Sequence, residues 1–489
     1  MEFVKQIRDP VHGWIRLTKE ESEFVDNSLV VQRLRYVRQL GMAYLVYPTA
    51  AYSRFDHSLG VMHLAYLIGR ELLSKRGVSA EEAEKLLKHL RMAALLHDVG
   101  HFPFSHTFEA VVRDLVAAAV KDWRCVDVDV SMFDRARPHE VTTQLILERI
   151  SPQLREHGYD PQLVKALLTK KYQEELPEEV RVLSSIISGT LDADRLDYIM
   201  RDIHFTGAAV GTAIGYADIE RIINSMSYVG DLGIIFDEKA RVHLEGYIIT
   251  RYQLYRHVYL HHKTVLFTEI ARKILWQAVL ECRSSPRGEV CEYLCDLAKF
   301  AAGDVSEEVL WKATDDYFTS VFTKLAPFRD LMARRRLGYI SLWKRDKDYL
   351  EVFGEEVKSI NKIIDEVYSS SEVEAKQILK QVLVEELKRV LGRLQCDLDE
   401  DDIELAYAYF DPKADDVYIS TREGPIQLER LSPLVQAVKE AWERSPHFFV
   451  YVKDGLVKRC GERALAYLRR ALPAVLPYVA KISRIDGDS

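Results

Sequence analysis

Leu95-Leu96-His97-Asp98-Val99-Gly100-His101, running on through Phe102-Pro103-Phe104-Ser105-His106-Thr107-Phe108-Glu109, is the stretch on which the reading of this chain turns. An apolar run from Met92 to Leu96 ends in an adjacent imidazole and carboxylate. Burying either group without a partner is costly, and a bound cation satisfies both at once. Val99-Gly100 then offers a helix stop. Two more histidines and Glu109 follow within a few turns of chain, so the pair is not isolated. A lone His-Asp pair more often reads as a hydrogen-bonded core pair than as a site.

The same chemistry recurs on both sides of this stretch. Upstream, Tyr52-Ser53-Arg54-Phe55-Asp56-His57-Ser58-Leu59-Gly60 leads into an apolar helix from Val61 to Leu73, with Ser53 or Asp56 as its cap. His57 lies in the first turn and can point across a bundle toward His97. Downstream, Asp192-Ala193-Asp194-Arg195-Leu196-Asp197-Tyr198-Ile199-Met200-Arg201-Asp202 is helical. Asp194, Tyr198 and Asp202 stack on one face at spacing four. Asp197 and Arg201 can pair on another. The candidate ligands are therefore His57, His97, Asp98 and Asp194. Two imidazoles and two carboxylates suit a divalent Mn, Fe, Mg, Zn or Ni ion with positions left open for water and phosphate oxygen.

With 489 residues the chain exceeds one ordinary core, and two or three domains are expected. A hydrophobic share of 48% and a charged share of 29% describe a soluble globular protein. No run approaches the roughly 20 apolar residues of a membrane helix, and the N-terminus lacks signal-peptide regions, so a cytoplasmic location is expected. The net charge of −8 gives nucleic-acid binding no support. The six cysteines form no CxxC pair, which disfavours structural zinc. Cys291 and Cys295, one helical turn apart, read as two buried small residues. Scarce asparagine with abundant Arg, Lys and Glu suggests a thermophile, in which an intracellular disulfide could persist.

At the N-terminus, Phe3–Ile7 and Trp14–Leu17 form a hairpin around Asp9-Pro10-Val11-His12-Gly13. Thr18 to Glu21 opens a helix with a capping box. Apolar residues fall at helical spacing from Leu29 to Leu45, broken by Gly41, and Arg33, Arg35 and Arg38 share that segment as a solvated basic face. After Val120 the chain to residue 137 reads as an insertion or lid, and Pro138 opens the next helix. Tyr228–Leu244 suggests a small hairpin. Arg251, Tyr255 and Tyr259 recur every four residues, a stripe that could stack a base and bind phosphate. The tail alternates strand, helix and strand from Ile403 to Val452, a small α+β unit. The expected fold is mainly α, a helical bundle with small β-hairpins and that C-terminal α+β unit. The expected division is 1–50, 51–345 and 346–489.

Ordered motifs across residues 3–345 carry a resemblance. They are Arg8-Asp9-Pro10-Val11-His12-Gly13, Gln32-Arg33-Leu34-Arg35-Tyr36 through Gln39-Leu40-Gly41, Arg54 to Gly60, Leu96 to His101, Pro103 to His106, His139-Glu140, and Asp194 to Tyr198. Together they resemble the HD-domain phosphohydrolases, in the branch of deoxynucleoside triphosphate triphosphohydrolases. The resemblance implies an HD helical bundle with His57, His97, Asp98 and Asp194 as metal ligands. It implies phosphate contacts from Arg54 and Arg195, and acid/base work by His106, Glu109 and His139, with His101 in the same catalytic set. A human member of the family carries Asp at the position of Glu109. Gln39, Leu40, Tyr198, Asp202, Arg251, Tyr255 and Tyr259 match the sugar and base pocket. Lys5, Gln32, Arg35 and Arg221 match an activator-nucleotide site, although the Asp26-to-Gln32 spacing is one residue longer than in the human member.

The implied activity is metal-dependent hydrolysis of a dNTP to deoxynucleoside and triphosphate, in a homo-oligomer. Two alternatives stand beside it. One is an HD phosphohydrolase or phosphodiesterase acting on a monophosphate, cyclic nucleotide or alarmone. The other is a slow nucleotide-binding sensor.

Overall fold

The computed structural model describes residues 1–169, 176–207, 216–333, 337–369, 373–392, 396–407 and 417–485. The chain is mainly α and forms two compact units. The first comprises Met1–Leu254, Ile270–Met332 and Lys413–Val435; the second comprises Tyr255–Glu269, Ala333–Pro412 and Gln436–Ser489.

In the first unit the central helix is Arg54–Lys75. Ser53 Oγ accepts the Asp56 N–H, and the Asp56 carboxylate accepts the Ser53 N–H, a reciprocal cap. This helix is buried along most of its length, as its near-continuous apolar sequence requires. Helices Ala80–Leu96, Glu178–Ser188 and Ala193–Thr206 pack on it. Glycine makes one of these contacts close enough to be chemically useful. A Cβ on Gly60 would lie 1.8 Å from Asp197 Oδ1, so only glycine lets the buried Asp197 and Arg201 approach the helix.

Gly100 works in the same way. It has no left-handed backbone, so it is not the helix stop its place after Val99 suggests. A Cβ there would lie 2.2 Å from the His139 carbonyl oxygen. The glycine lets the turn after Asp98 press against the helix Pro138–Arg149.

The N-terminal hairpin pairs Lys5–Asp9 with Gly13–Leu17 in antiparallel register, Ile7 opposite Ile15. The segment expected to be helical to Leu45 is α only over Leu29–Gln32, followed by 3₁₀ turns at Arg33–Tyr36 and Gly41–Leu45. Its arginines do not share one solvated face: Arg35 is exposed and Arg38 half-buried. Arg33 is fully buried and donates to the carbonyls of Val99 at 2.7 Å, His101 at 2.9 Å and Ala313 at 2.5 Å. Those bonds explain why the chain leaves the helical path here.

A four-stranded sheet completes this unit, in the order Met226–Val229, Gly233–Asp237, Tyr418–Thr421, Gly424–Gln427. The strand near Val417, expected in the tail's own sheet, instead pairs in parallel with Gly233–Asp237. The second unit holds a three-stranded antiparallel sheet, with Phe448–Lys453 between Tyr339–Ser341 and Ile403–Tyr407. Trp343 is buried beside it, its indole N–H donating to the Phe448 carbonyl at 2.9 Å.

The cysteines also depart from expectation. Cys291 and Cys295 are half-buried, and each forms a disulfide elsewhere: Cys291 with Cys282, Cys295 with Cys125. Cys396 pairs with Cys460 in the second unit. No helix among the described residues is long and apolar enough to cross a membrane.

The glycine contact is open to test. Gly60→Ala should destabilise the protein by about 1–3 kcal/mol, the usual cost of overpacking. Gly246→Ala, on helix Arg241–Leu254 where an added methyl would meet open space, should be neutral or slightly stabilising. Denaturant unfolding of both variants would show the contrast, and equal midpoints would refute it.

Candidate metal and catalytic site

Four side chains from three helical segments converge. His57 sits in the first turn of Arg54–Lys75, His97 and Asp98 follow the end of Ala80–Leu96, and Asp194 lies in the first turn of Ala193–Thr206. Ligand atoms of His57, His97 and Asp98 lie within 4.8 Å of one another. Asp194 Oδ1 is 2.9 Å from His57 Nε2 and 3.8 Å from His97 Nε2.

The other edge of each imidazole is already occupied. His57 Nδ1 donates to Asp197 Oδ2 at 2.7 Å, and His97 Nδ1 donates to the Ala94 carbonyl at 2.7 Å. With those tautomers, both Nε2 lone pairs face carboxylate oxygens. His97 Nε2 is buried and finds no hydrogen-bond partner among the described residues. Lone pairs set against carboxylates need a proton or a cation between them. Burial pushes His57 down, but Asp194 and Asp197 outweigh it and carry the imidazole up to about 10. His97 is likewise raised against its burial, by Asp98 and Asp194. Asp194 is held low by His57 and His97 despite its burial. The group therefore fits a divalent metal, whose charge would replace the protons these contacts demand.

Behind His57 lies a network of which the sequence shows only the Asp197–Arg201 pair. Asp197, fully buried, takes two bonds from Arg201, at 2.9 and 3.0 Å, and a third contact from His12 Nε2 at 2.6 Å. Arg201 also donates to Asp9 Oδ2 at 2.8 Å. Asp9 Oδ1 accepts the N–H groups of Val11 and His12, so one side chain shapes the hairpin turn and fixes the arginine.

A second cluster adjoins the first. Glu109 Oε1 lies 2.8 Å from His101 Nδ1 and 2.9 Å from His139 Nδ1, and Oε2 lies 3.0 Å from His106 Nδ1. Burial opposes ionisation of Glu109, but His106 and His101 hold it well below the ordinary range. His101 joins the clusters, with Nε2 at 3.3 Å from Asp98 Oδ1. Burial, with Arg54 and His139 adding to it, drives His101 down to about 3. His106 differs from its neighbours in being 65% exposed, with Nδ1 on Glu109.

Arg54 borders both clusters. Its Nη1 pairs with Asp98 Oδ2 and its Nε donates to Ser105 Oγ at 2.8 Å. Nη2 is buried and finds no partner among the described residues.

The remaining candidates fall in several places. Arg195 donates to the carbonyls of Gly189 and Thr190 in the turn before its own helix. Tyr198 is half-buried one helical turn from Asp194. Asp202 is buried and receives the Tyr52 hydroxyl. Gln39 and Leu40 are half-buried in the segment whose Gln39 N–H bonds the Tyr52 carbonyl at 3.1 Å. Arg251 is buried on helix Arg241–Leu254. Tyr255 and Tyr259 belong to the second unit, where a π-turn over Tyr255–Tyr259 replaces the regular helix that spacing four implies. Lys5 pairs with Asp26 at 2.7 Å, Arg35 donates to Gln32 at 2.8 Å, and Arg221 is exposed on helix Tyr216–Ser225.

Comparison with known proteins agrees with this geometry. Residues 54–186 match the HD domain family. The YwfO protein of Bacillus subtilis is 34% identical over 276 residues, covering 56% of each chain. Human deoxynucleoside triphosphate triphosphohydrolase SAMHD1 is 30% identical over 278 residues, covering 53% of this chain and 42% of its own. This chain thus spans about half the length of these curated relatives. A crystal structure of a phosphohydrolase from Bacteroides thetaiotaomicron shares the fold with a TM-score of 0.60 at 21% identity, over 92% of this chain and all of that one.

Metal content tests the first cluster. Asp194→Ala should lose the bound ion, measured by elemental analysis of the purified protein, and full occupancy would remove Asp194 from the site. Asp197→Asn should weaken metal affinity about 10- to 100-fold, the usual effect of losing the carboxylate behind a ligating imidazole.

Proposed function

We propose that this protein is a metal-dependent deoxynucleoside triphosphate triphosphohydrolase. The observation that carries this reading is the unpartnered Nη2 of buried Arg54, poised between a metal-fit cluster and an exposed histidine. A buried guanidinium donor in that position calls for an anionic oxygen. A divalent ion held by His57, His97, Asp98 and Asp194 would offset phosphate charge and make water a better nucleophile.

The protein groups account for the rest. Arg54 would hold a phosphate oxygen, with Arg195 as a further phosphate contact. Water attacks the α-phosphorus, the bond from phosphorus to the 5′-oxygen breaks, and triphosphate leaves whole. His106, anchored by Glu109, would donate the proton that the departing 5′-oxygen needs. His139 and His101 would hold Glu109 in place. Gln39, Leu40, Tyr198, Asp202 and Arg251 would line the sugar and base pocket. The human relative named as a triphosphohydrolase of this kind supports the choice among HD chemistries.

Product analysis decides the reaction. Each dNTP, incubated with Mn²⁺ or Mg²⁺, should yield deoxynucleoside and inorganic triphosphate. His106→Ala should lower turnover by about 10²-fold or more while retaining the metal. Release of single phosphates, or turnover of a monophosphate, cyclic nucleotide or alarmone alone, would replace this reading with the other HD chemistry. Tight nucleotide binding without products would make the protein a sensor.

Sugar choice gives a separate test. Asp194 and Tyr198 share a helix face, so phosphates near the first bring the ribose near the second. If the ring crowds the 2′ position, an added hydroxyl is excluded or left without a partner. Wild type should favour dGTP over GTP, and Tyr198→Ala should narrow the ratio of specificity constants with metal content unchanged. An unchanged ratio would assign discrimination to another residue.

A further inference from the structure

The turn between His101 and the helix His106–Lys121 contains two residues in the left-handed region, Phe104 and Ser105, each with φ of 54°. Neither is glycine, so the surrounding structure must hold this backbone in place. The restraint comes from far along the chain. Asp315 begins the helix Asp315–Phe322 and is 1% exposed. Its Oδ1 accepts the Phe104 N–H at 2.7 Å. Its Oδ2 accepts the Arg38 N–H and an Arg38 guanidinium N–H, both at 3.1 Å. One carboxylate thus ties the strained turn to the segment that carries Arg38.

Ser105 closes the same connection from the other side. Its hydroxyl donates to the Arg38 carbonyl at 2.6 Å and accepts from Arg54 Nε at 2.8 Å. Arg54 Nη1 is fixed on Asp98. With Nε and Nη1 both engaged, the plane of the guanidinium is set, and Nη2 has one direction left to point.

We infer that Asp315 is a positioning residue for phosphate recognition: through Phe104, Arg38 and Ser105 it aims Arg54 Nη2 at the substrate. The inference rests on the phosphohydrolase reading of the site. Asp315 touches no proposed ligand of the metal, so its effect should appear in binding of the phosphate chain rather than in metal content. Asn at this position keeps the size but offers one acceptor oxygen, and its amide would face the donors of Arg38 or Phe104. Alanine at Ser105 removes the hydroxyl between Arg38 and Arg54 with little change in volume.

The test uses the full-length, metal-loaded chain with Asp315→Asn, Ser105→Ala and the double variant. Inorganic triphosphate, titrated by calorimetry, reports the phosphate site without any turnover. Each single variant should bind it about 10-fold more weakly, with metal content unchanged. In steady-state hydrolysis KM should rise by a similar factor while kcat changes less than about 3-fold. The double variant should be no weaker than the weaker single one, because both act on one connection. Wild-type triphosphate affinity in folded Asp315→Asn or in Ser105→Ala would overturn the inference, as would fully additive losses. If Asp315→Asn does not fold, Ser105→Ala alone decides, since the route runs through its hydroxyl. A wild type that binds triphosphate yet hydrolyses no nucleotide would sink the phosphohydrolase reading and leave the positioning result standing.

Discussion

The Asp197 carboxylate is the contact on which the site depends. It is fully buried, and a buried carboxylate survives only with several strong partners. Arg201, His12 and His57 supply them, and they come from three separate parts of the chain. Burial alone would push Asp197 up; Arg201 and the imidazoles keep it well below the ordinary range. Removing any partner would leave charge uncompensated in the interior, so the hairpin turn, the central helix and the Ala193–Thr206 helix are bound to one another. Gly60 is the steric counterpart of this constraint, because no larger residue leaves room for the carboxylate.

That constraint orders the site outward. Asp197 fixes the tautomer and plane of His57, which sends Nε2 toward Asp194 and Asp98. Arg33 does the equivalent for the backbone, holding the carbonyls of Val99 and His101 on either side of Gly100. The histidine-rich turn is thus set from behind by two buried arginines and one buried carboxylate. None of these three was marked by the chemistry of the site itself.

Their invisibility in sequence has a physical cause. Helix-terminal groups such as His57, the His97-Asp98 pair and Asp194 stand out because local periodicity shows an apolar helix meeting polar residues. The i,i+4 pairing of Asp197 with Arg201 was legible, but its other partners, His57 and His12, lie 140 and 185 residues away, and no local pattern carries such pairings. Arg33 sits in apolar spacing that reads as an ordinary helix, and only burial of its guanidinium shows otherwise. Asp315 hides in Thr314-Asp315-Asp316, which reads as a helix cap and acidic first turn. The Tyr418–Thr421 strand was legible as a strand but not in its partner. Parallel pairing with Gly233–Asp237 leaves no turn between them to read. The Cys125–Cys295 disulfide closes a separation of 170 residues and is likewise silent in the spacing.

His101 sets a last condition on how the two clusters work together. Its Nε2 faces Asp98 and its Nδ1 faces Glu109. Burial, Arg54 and His139 keep the ring neutral, so it has one N–H for two carboxylates. Donation to Glu109 leaves a lone pair against Asp98; donation to Asp98 leaves one against Glu109. Whichever carboxylate has its charge offset by another group is the one that can do without the proton. The charge on the His57, His97 and Asp98 side therefore decides which way His101 points its hydrogen. The two halves of the site meet at one buried imidazole, whose nitrogens face Asp98 at 3.3 Å and Glu109 at 2.8 Å.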